Sequence, residues 1–376
     1  MIDFQGASDL LFALWGNRRD GTLLTVFLVG PPGIGKTAVA RDVARRMGEG
    51  AIIEVRDLTS IPPEDLTGLP FREDGRTFYD PQEWMWSLCQ PGARGVLVLD
   101  DLPAAGPAQA AACRQLALDR KIGNHVLSPD VLLLVTGNRR EDKAGASTLP
   151  SHFLNSVMVL DLEPDLQGWS HWFLGQEGDP LIPAFLHRRS NLFSALPSQA
   201  DAKGCFPTPR VWTMASRILK VSRSMGSLSQ AMSGLVGEGA ATEFVAFIHT
   251  AADLPSPEHV LANPKEAIPD PSAIQDVPDK VLALTAGICA LAARTIKKDR
   301  QREGAPIRAT QDPVATRSAE TLLHALAWLV GDRSDLLANA VSSYRMAGGN
   351  MDVLSTALSQ NSELLKLRDE IKDAVR

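Results

Sequence analysis

Lys36 and Thr37, directly behind a glycine-rich turn, the adjacent carboxylates Asp100 and Asp101, and the amide of Asn138 are the side chains whose types and spacing suggest chemistry. The first two belong to the stretch VFLVGPPGIGKTAVA, in which Gly30, Pro31, Pro32, Gly33, Ile34 and Gly35 separate an apolar run from a helical pattern beginning around Ala38. Glycines permit backbone angles and close approaches that a Cβ would block. A strand, then such a turn, then a helix leaves free N–H groups at the helix start, where hydrogen bonding and the helix dipole both favour an anion. Gly30, Gly35, Lys36 and Thr37 fit GxxxxGK[ST], in which the lysine reaches the β and γ phosphates of a nucleotide and the hydroxyl ligates Mg²⁺.

Binding phosphate is not yet hydrolysis, which needs an acidic centre and a group that positions water. The run GVLVLDDL supplies carboxylates at the end of an apolar strand. Asp100 is placed to hold the hydration shell of Mg²⁺, and Asp101 stands where a general base or water-orienting carboxylate belongs. The other reading of Asp101 is a cap for the next helix. A second apolar run, VLLLVT, ends in Gly137 and Asn138. An amide there can donate to a γ-phosphate oxygen and orient a water without altering local charge, or it can be a plain turn residue.

These groups need a sheet to bring them together. Apolar runs near 24–29, 51–55, 95–100, 131–136 and 157–162 alternate with helical patterns such as PAQAAACRQLALD, which predicts a parallel α/β sheet covered by helices. Two insertions interrupt the alternation: residues 57–90, rich in prolines and aromatics, and KIGNHVLSPDV, which reads as a short hairpin. Both are expected to project from the sheet. From about residue 165 helical periodicity takes over. Six prolines between 255 and 278 predict an extended connector, and helical patterns return beyond it. The expected organisation is a nucleotide-binding core over 1–165, a helical lid over 166–254, the connector over 255–278 and a helical extension over 279–376.

Length and composition agree with that division. A chain of 376 residues exceeds what one core usually holds, and 44% hydrophobic with 22% charged residues is ordinary for a globular protein. A formal charge of −6 argues against a mainly electrostatic nucleic-acid binder. Cys89, Cys113, Cys205 and Cys289 lack CxxC spacing and no histidines cluster near them, so neither a zinc site nor a disulfide framework is indicated. The start, MIDFQGASDLLFALWG, lacks the cationic region and cleavable apolar core of a leader, and no apolar segment reaches bilayer length. A cytoplasmic location and no membrane partner are the expectations.

GPPGIGKT, LVLDD and VTGN, in this order and spacing, resemble an AAA+ ATPase. DLTGLPF with the aromatic stretch before LVLDD, and QLALDRKIGNHVLSPDV before the next strand, are similar to the helix-2 insert and pre-sensor-1 hairpin of the MoxR-like branch. The resemblance spans roughly residues 20–280. It implies a P-loop NTPase sheet with helices on both faces, an all-α lid and bound ATP with Mg²⁺. Lys36 and Thr37 then correspond to Walker A, Asp100 and Asp101 to Walker B, and Asn138 to sensor 1. FPTPRVW resembles the entry to sensor 2, with Thr208 as helix cap and Arg210 facing the γ-phosphate; an exposed cation at a helix start, with Arg217 as a competitor, is the plainer alternative. The resemblance further implies a ring, a hexamer, that remodels or assembles a client protein in chaperone-like fashion, with a partner carrying a von Willebrand factor A domain.

This chain departs from the family in two places. Walker B usually ends in Asp-Glu, whereas Asp101 is one methylene shorter, and a misplacement of about 1 Å can cost on the order of 100-fold in rate. In LPSHFLNSVMVLDL, Ser156 stands where the family has the arginine finger that reaches a neighbour's nucleotide; Arg139, Arg140 and Arg120 are the candidates to replace it. A nucleotide-switched assembly module with little hydrolysis is therefore a second reading. A nucleic-acid-linked motor is a third, with the basic cluster TIKKDRQRE, Arg308 and Arg317 as its only footing. Phe71, Phe78, Tyr79, Trp84 and Trp86 in the first insertion are either anchors packed on the core or contacts for a partner.

Overall fold

The computed structural model describes residues 1–17, 24–139, 149–196, 204–221, 225–302, 313–331 and 333–360. The chain divides into two compact units, Met1–Asp165 and Leu166–Arg376.

The first unit is built on five strands, apolar along β1 and through the middle of β5 and β8 and mixed in β2: β1 (Val26–Val29), β2 (Ile52–Asp57), β5 (Arg94–Asp100), β8 (Asp130–Gly137) and β9 (Met158–Asp161). They pair in the order β2-β5-β8-β1-β9, all parallel. Parallel strands need covering on both faces, which is why β5 and β8 read VLVL and VLLLV without alternation. Val96, Leu97, Val98 and Leu99 are fully buried, and each such side chain contributes about 1.5–3 kcal/mol on leaving water. Alternate residues feed two cores. Leu97, Leu99, Leu133 and Val135 face α5 (Pro107–Asp119) and α4 (Glu83–Cys89), while Val96, Val98, Leu132 and Leu134 face α1 (Phe4–Gly16) and α2 (Lys36–Arg46). The expected α/β sheet with helices on both faces is thus the observed one.

Both insertions form hairpins. After the short α3 (Glu64–Thr67), β3 (Leu69–Glu73) and β4 (Arg76–Asp80) pair around Asp74 and Gly75, which both have positive φ, the turn chemistry that Asp-Gly supplies. β6 (Lys121–Ile122) and β7 (His125–Val126) form the second hairpin. The two touch: a Cβ on Gly123 would lie 2.9 Å from Tyr79 Cβ, and the ring of Trp86 meets His125 edge-on at 5.1 Å. Trp84 packs partly buried against the core with Arg56 over its ring. Phe71, Tyr79 and Trp86 are exposed, Phe71 stacked on Phe78 at 5.5 Å. The aromatics therefore split into one anchor and a largely solvent-facing group. The helix α6 (Ser151–Leu154) lies between β8 and β9 in the chain.

The second unit is helical. It comprises α7 (Leu166–Gly175), α8 (Leu181–Arg188), α9 (Pro209–Val221), α10 (Met225–Val236), α11 (Glu238–Ala251), α12 (Pro257–Ala262), α13 (Pro264–Ala267), α14 (Ser272–Gln275), α15 (Pro278–Arg302), α16 (Pro313–Val330), α17 (Ser334–Met346) and α18 (Met351–Gln360). The proline-rich stretch is not the extended connector its composition predicts. Pro257 and Pro264 occupy first helical positions, where the missing N–H costs nothing, and Ser256 caps its helix through His259 N. Val260, Ile268 and Ile274 from these short helices join Leu322, Leu326 and Leu337 in one core. A second core gathers Phe185, Trp212, Phe244 and Phe247 with Ala283, Ala286 and Met346. Among the described residues no helix is long and apolar enough to cross a membrane.

Candidate functional site

Strand order assembles the site. β8 lies between β1 and β5, so the ends of β1, β8 and β5 stand side by side at one edge of the sheet. Val29 pairs with Gly137, and Asp100 with Asp57 on β2.

The turn after β1 works through its backbone. Gly33 (φ +75) and Gly35 (φ +105) take left-handed conformations, and Gly35 caps α2. Gly30 is needed for closeness, since a Cβ there would come within 2.5 Å of Leu162 O. Pro31 and Ile34 are buried and Pro32 half-buried, so the loop is packed from beneath, while Ala38 is exposed on the first turn of the helix. No acidic side chain stands in that first turn, which leaves the positive end of the helix dipole to an incoming anion.

Five of the predicted side chains meet here. Lys36 Nζ donates to Gly30 O at 2.8 Å, Pro31 O at 3.0 Å and Asn138 Oδ1 at 2.9 Å. The Thr37 hydroxyl lies 3.4 Å from Asp100 Oδ2. Asn138 turns its Nδ2 toward Asp101 Oδ1 at 3.4 Å, so one amide links the lysine to the second carboxylate. Burial pushes the Asp101 carboxyl above its ordinary range; Asp100 and Asp57 push the same way, and Lys36 opposes them. Asp101 has the backbone of a left-handed residue (φ 61, ψ 44) and makes no side-chain cap to the short 3-10 turn Leu102–Ala104 that follows. The capping alternative therefore has no bond to rest on.

Hydroxyl and carboxylate oxygens are hard donors, and Mg²⁺ is typically held by one or two carboxylates together with substrate phosphates. Thr37 and Asp100 fit that donor set. No cluster of three or more His, Cys, Asp or Glu capable of holding a metal alone occurs among the described residues, and Mg²⁺ commonly completes its shell with waters and phosphate oxygens.

The remaining candidates separate. Arg210 is exposed in the first turn of α9, in the second unit, behind the cap Thr208, whose hydroxyl accepts from Val211 N at 3.4 Å. Ser156 bonds His152 O within its own turn. Arg139, a candidate finger, is instead engaged inside its own unit: it donates to Asp161 Oδ1 at 2.7 Å and to Leu162 O at 3.2 Å, and is only 17% exposed. Arg120, left-handed at the end of α5, donates to Val131 O and Ser128 O and is half-buried. Neither extends toward solvent as a finger must. Arg140 and Arg308 lie outside the described residues.

Two groups at this edge escape a reading by motif. Thr136 donates to Asp100 Oδ1 and accepts from Asp101 N at 3.2 Å. Asp57 faces Asp100 across the strand pair while its carboxylate caps Thr59. A hydroxyl directly after the apolar run VLLLV was the available signal for Thr136; Asp57 had none, because its neighbour is set by sheet order.

Among curated proteins there is no match to this chain. Of solved structures, a RuvB mutant of Thermotoga maritima is 16% identical, with a TM-score of 0.37 over 70% of this chain and 75% of that one. PCH-2 of C. elegans is 14% identical, with a TM-score of 0.32 over 65% of each chain. NtrX of Brucella abortus is 13% identical, with a TM-score of 0.31 over 94% of this chain and 67% of its own. Residues 25–151, which contain the glycine turn, both aspartates and Asn138, match the AAA domain (dynein-related subfamily). The first unit thus has the AAA+ P-loop fold and is similar, over residues 25–151, to an AAA domain.

Proposed function

We propose that the first unit binds Mg·ATP on the Gly30–Ala38 turn and hydrolyses it. One observation carries this reading: Lys36, Thr37, Asp100, Asp101 and Asn138 converge at the carboxyl edge of a parallel sheet, over a turn whose amides head a helix. Lys36 gives up the Gly30 and Pro31 carbonyls for the β and γ phosphates. Asn138, released from Lys36, donates to the γ-phosphate and keeps hold of Asp101. Asp101 accepts the proton of, or orients, the attacking water. Thr37 and Asp100 would hold Mg²⁺, whose charge neutralises that developing on the phosphate oxygens. Arg210 is assigned the γ-phosphate contact from the lid.

The MoxR-like resemblance extends the reading to a hexameric ring, since the nucleotide of such proteins lies between subunits, and to remodelling or assembly of a client with a von Willebrand factor A partner. The test is ATP turnover by the purified chain against Lys36→Ala, alone and with a candidate partner, beside the mass of the assembly with and without nucleotide. Turnover no higher than that of Lys36→Ala in every condition would falsify the enzyme.

A second reading, a nucleotide-switched assembly module with little hydrolysis, is favoured by Asp101 in place of glutamate and by Ser156 at the finger position. Asp101→Glu and Asp101→Asn distinguish the two. If both turn over like the wild type, Asp101 is not the working carboxylate and the module reading gains.

A further inference from the structure

Two hydrogen bonds converge on a single hydroxyl at the end of β8. Thr136 is 1% exposed, directly after the valine and leucine run 131–135 of β8. Valine would fill the same space without taking a hydroxyl out of water, and a buried hydroxyl is unfavourable unless it is bonded. Here it is bonded twice. It donates to Asp100 Oδ1 and accepts the Asp101 N–H at 3.2 Å. A hydroxyl has one hydrogen and two lone pairs, so both bonds coexist.

Each bond fixes something the site needs. The first leaves Asp100 with its other oxygen, Oδ2, toward the Thr37 hydroxyl. The second ties down the amide of Asp101, whose left-handed backbone (φ 61) is uncommon outside glycine, though aspartate is among the residues that tolerate it best. That backbone decides the direction in which the Asp101 side chain leaves the strand end, toward Asn138 Nδ2. The neighbours cannot substitute, because Val135 and Gly137 carry no side-chain polar atom.

We infer that Thr136 is a positioning residue of the phosphate site: one hydroxyl sets the rotamer of Asp100 and the backbone of Asp101, so that the two carboxylates are aimed together. The inference rests on the ATPase reading given above, and it makes the short second carboxylate a matter of backbone aim as well as side-chain length.

The test compares Thr136→Val with Thr136→Ser by steady-state ATP turnover, thermal melting and crystal structure. Valine keeps the shape and suits a strand, so the variant is expected to fold. Its kcat should fall on the order of 100-fold, the cost of a misplacement of about 1 Å, with KM for ATP changing less than about threefold. Serine should recover most of the loss. In the valine structure, Asp101 should leave the left-handed region or Asp100 should rotate away from Thr37. Wild-type kcat in the valine variant, a serine variant as slow as the valine one, or both carboxylates unmoved in the valine crystal overturns the inference. Should the wild type itself prove inactive, the ATPase reading falls, while the valine structure still decides whether Thr136 aims the carboxylates.

Discussion

At the carboxyl edge of the sheet, polar groups are held by partners they can exchange; in the helical unit they are sealed. Lys36 rests on two carbonyls and an amide, all of which phosphate oxygens can replace, and Asn138 joins it to Asp101 at 3.4 Å. Cys289 is fully buried with its Sγ on Ala340 O, Thr285 bonds Val281 O within its own helix, and Tyr344 is fully buried among leucines and alanines. The first arrangement stays half-buried and strained at Asp101, whereas the second is closed on every side. Chemistry needs groups whose present partners are no better than the ones a ligand brings, and the sheet edge offers them.

Five substitutions or probes sharpen that contrast, and the largest effect belongs to the edge. Asp101→Asn removes the carboxylate that would take or orient a proton, and kcat should drop by about 10²–10⁴ with the melting temperature nearly unchanged; a full-rate Asn variant would move catalysis away from this residue. Lys36→Ala should cost about 10²–10³ in turnover, the usual loss of one charge-stabilising donor, and should weaken Mg·ATP binding by calorimetry. Trp212→Ala should do the reverse. The indole is fully buried and bonds Leu192 O at 2.8 Å, so the change should lower stability by about 3–5 kcal/mol in denaturant titration, and an unaltered transition would mean the helical core is not closed there.

Smaller effects test the periphery. Arg139→Ala should lower stability by about 1–2 kcal/mol through its charged bonds to Asp161 and leave the dependence of turnover on protein concentration as it was. A loss of concentration-dependent turnover would restore Arg139 as a finger. Maleimide should label the exposed Cys205 quickly, and Cys113 and Cys289 only on unfolding, because burial holds both as protonated thiols, Cys113 pushed up to about 12. The sign follows: with both thiol pKa values raised by burial, raising the pH from 7 to 9 should leave Cys113 and Cys289 silent in the folded protein.

Much of this was legible from local chain chemistry. The glycines ahead of Lys36 and Thr37 marked a turn needing backbone angles that a Cβ would block, and Gly33 and Gly35 are left-handed there. The runs VLVL of β5 and VLLLV of β8 are apolar without alternation, as strands covered on both faces must be. Composition misled between 255 and 278, where prolines at helix starts were compatible with short buried helices.

The sequence alone determined which side chains sit at strand ends and which turns precede helices, because hydrogen bonding and steric preference act over a few neighbouring residues. Only the tertiary structure decided who meets whom. Placing β8 between β1 and β5 brought Asn138 between Lys36 and Asp101, Thr136 under both aspartates, and Asp161 within reach of Arg139. Those contacts join residues 22 to 102 positions apart, and their pairing is fixed by the crossover order of a parallel sheet, which no local preference encodes.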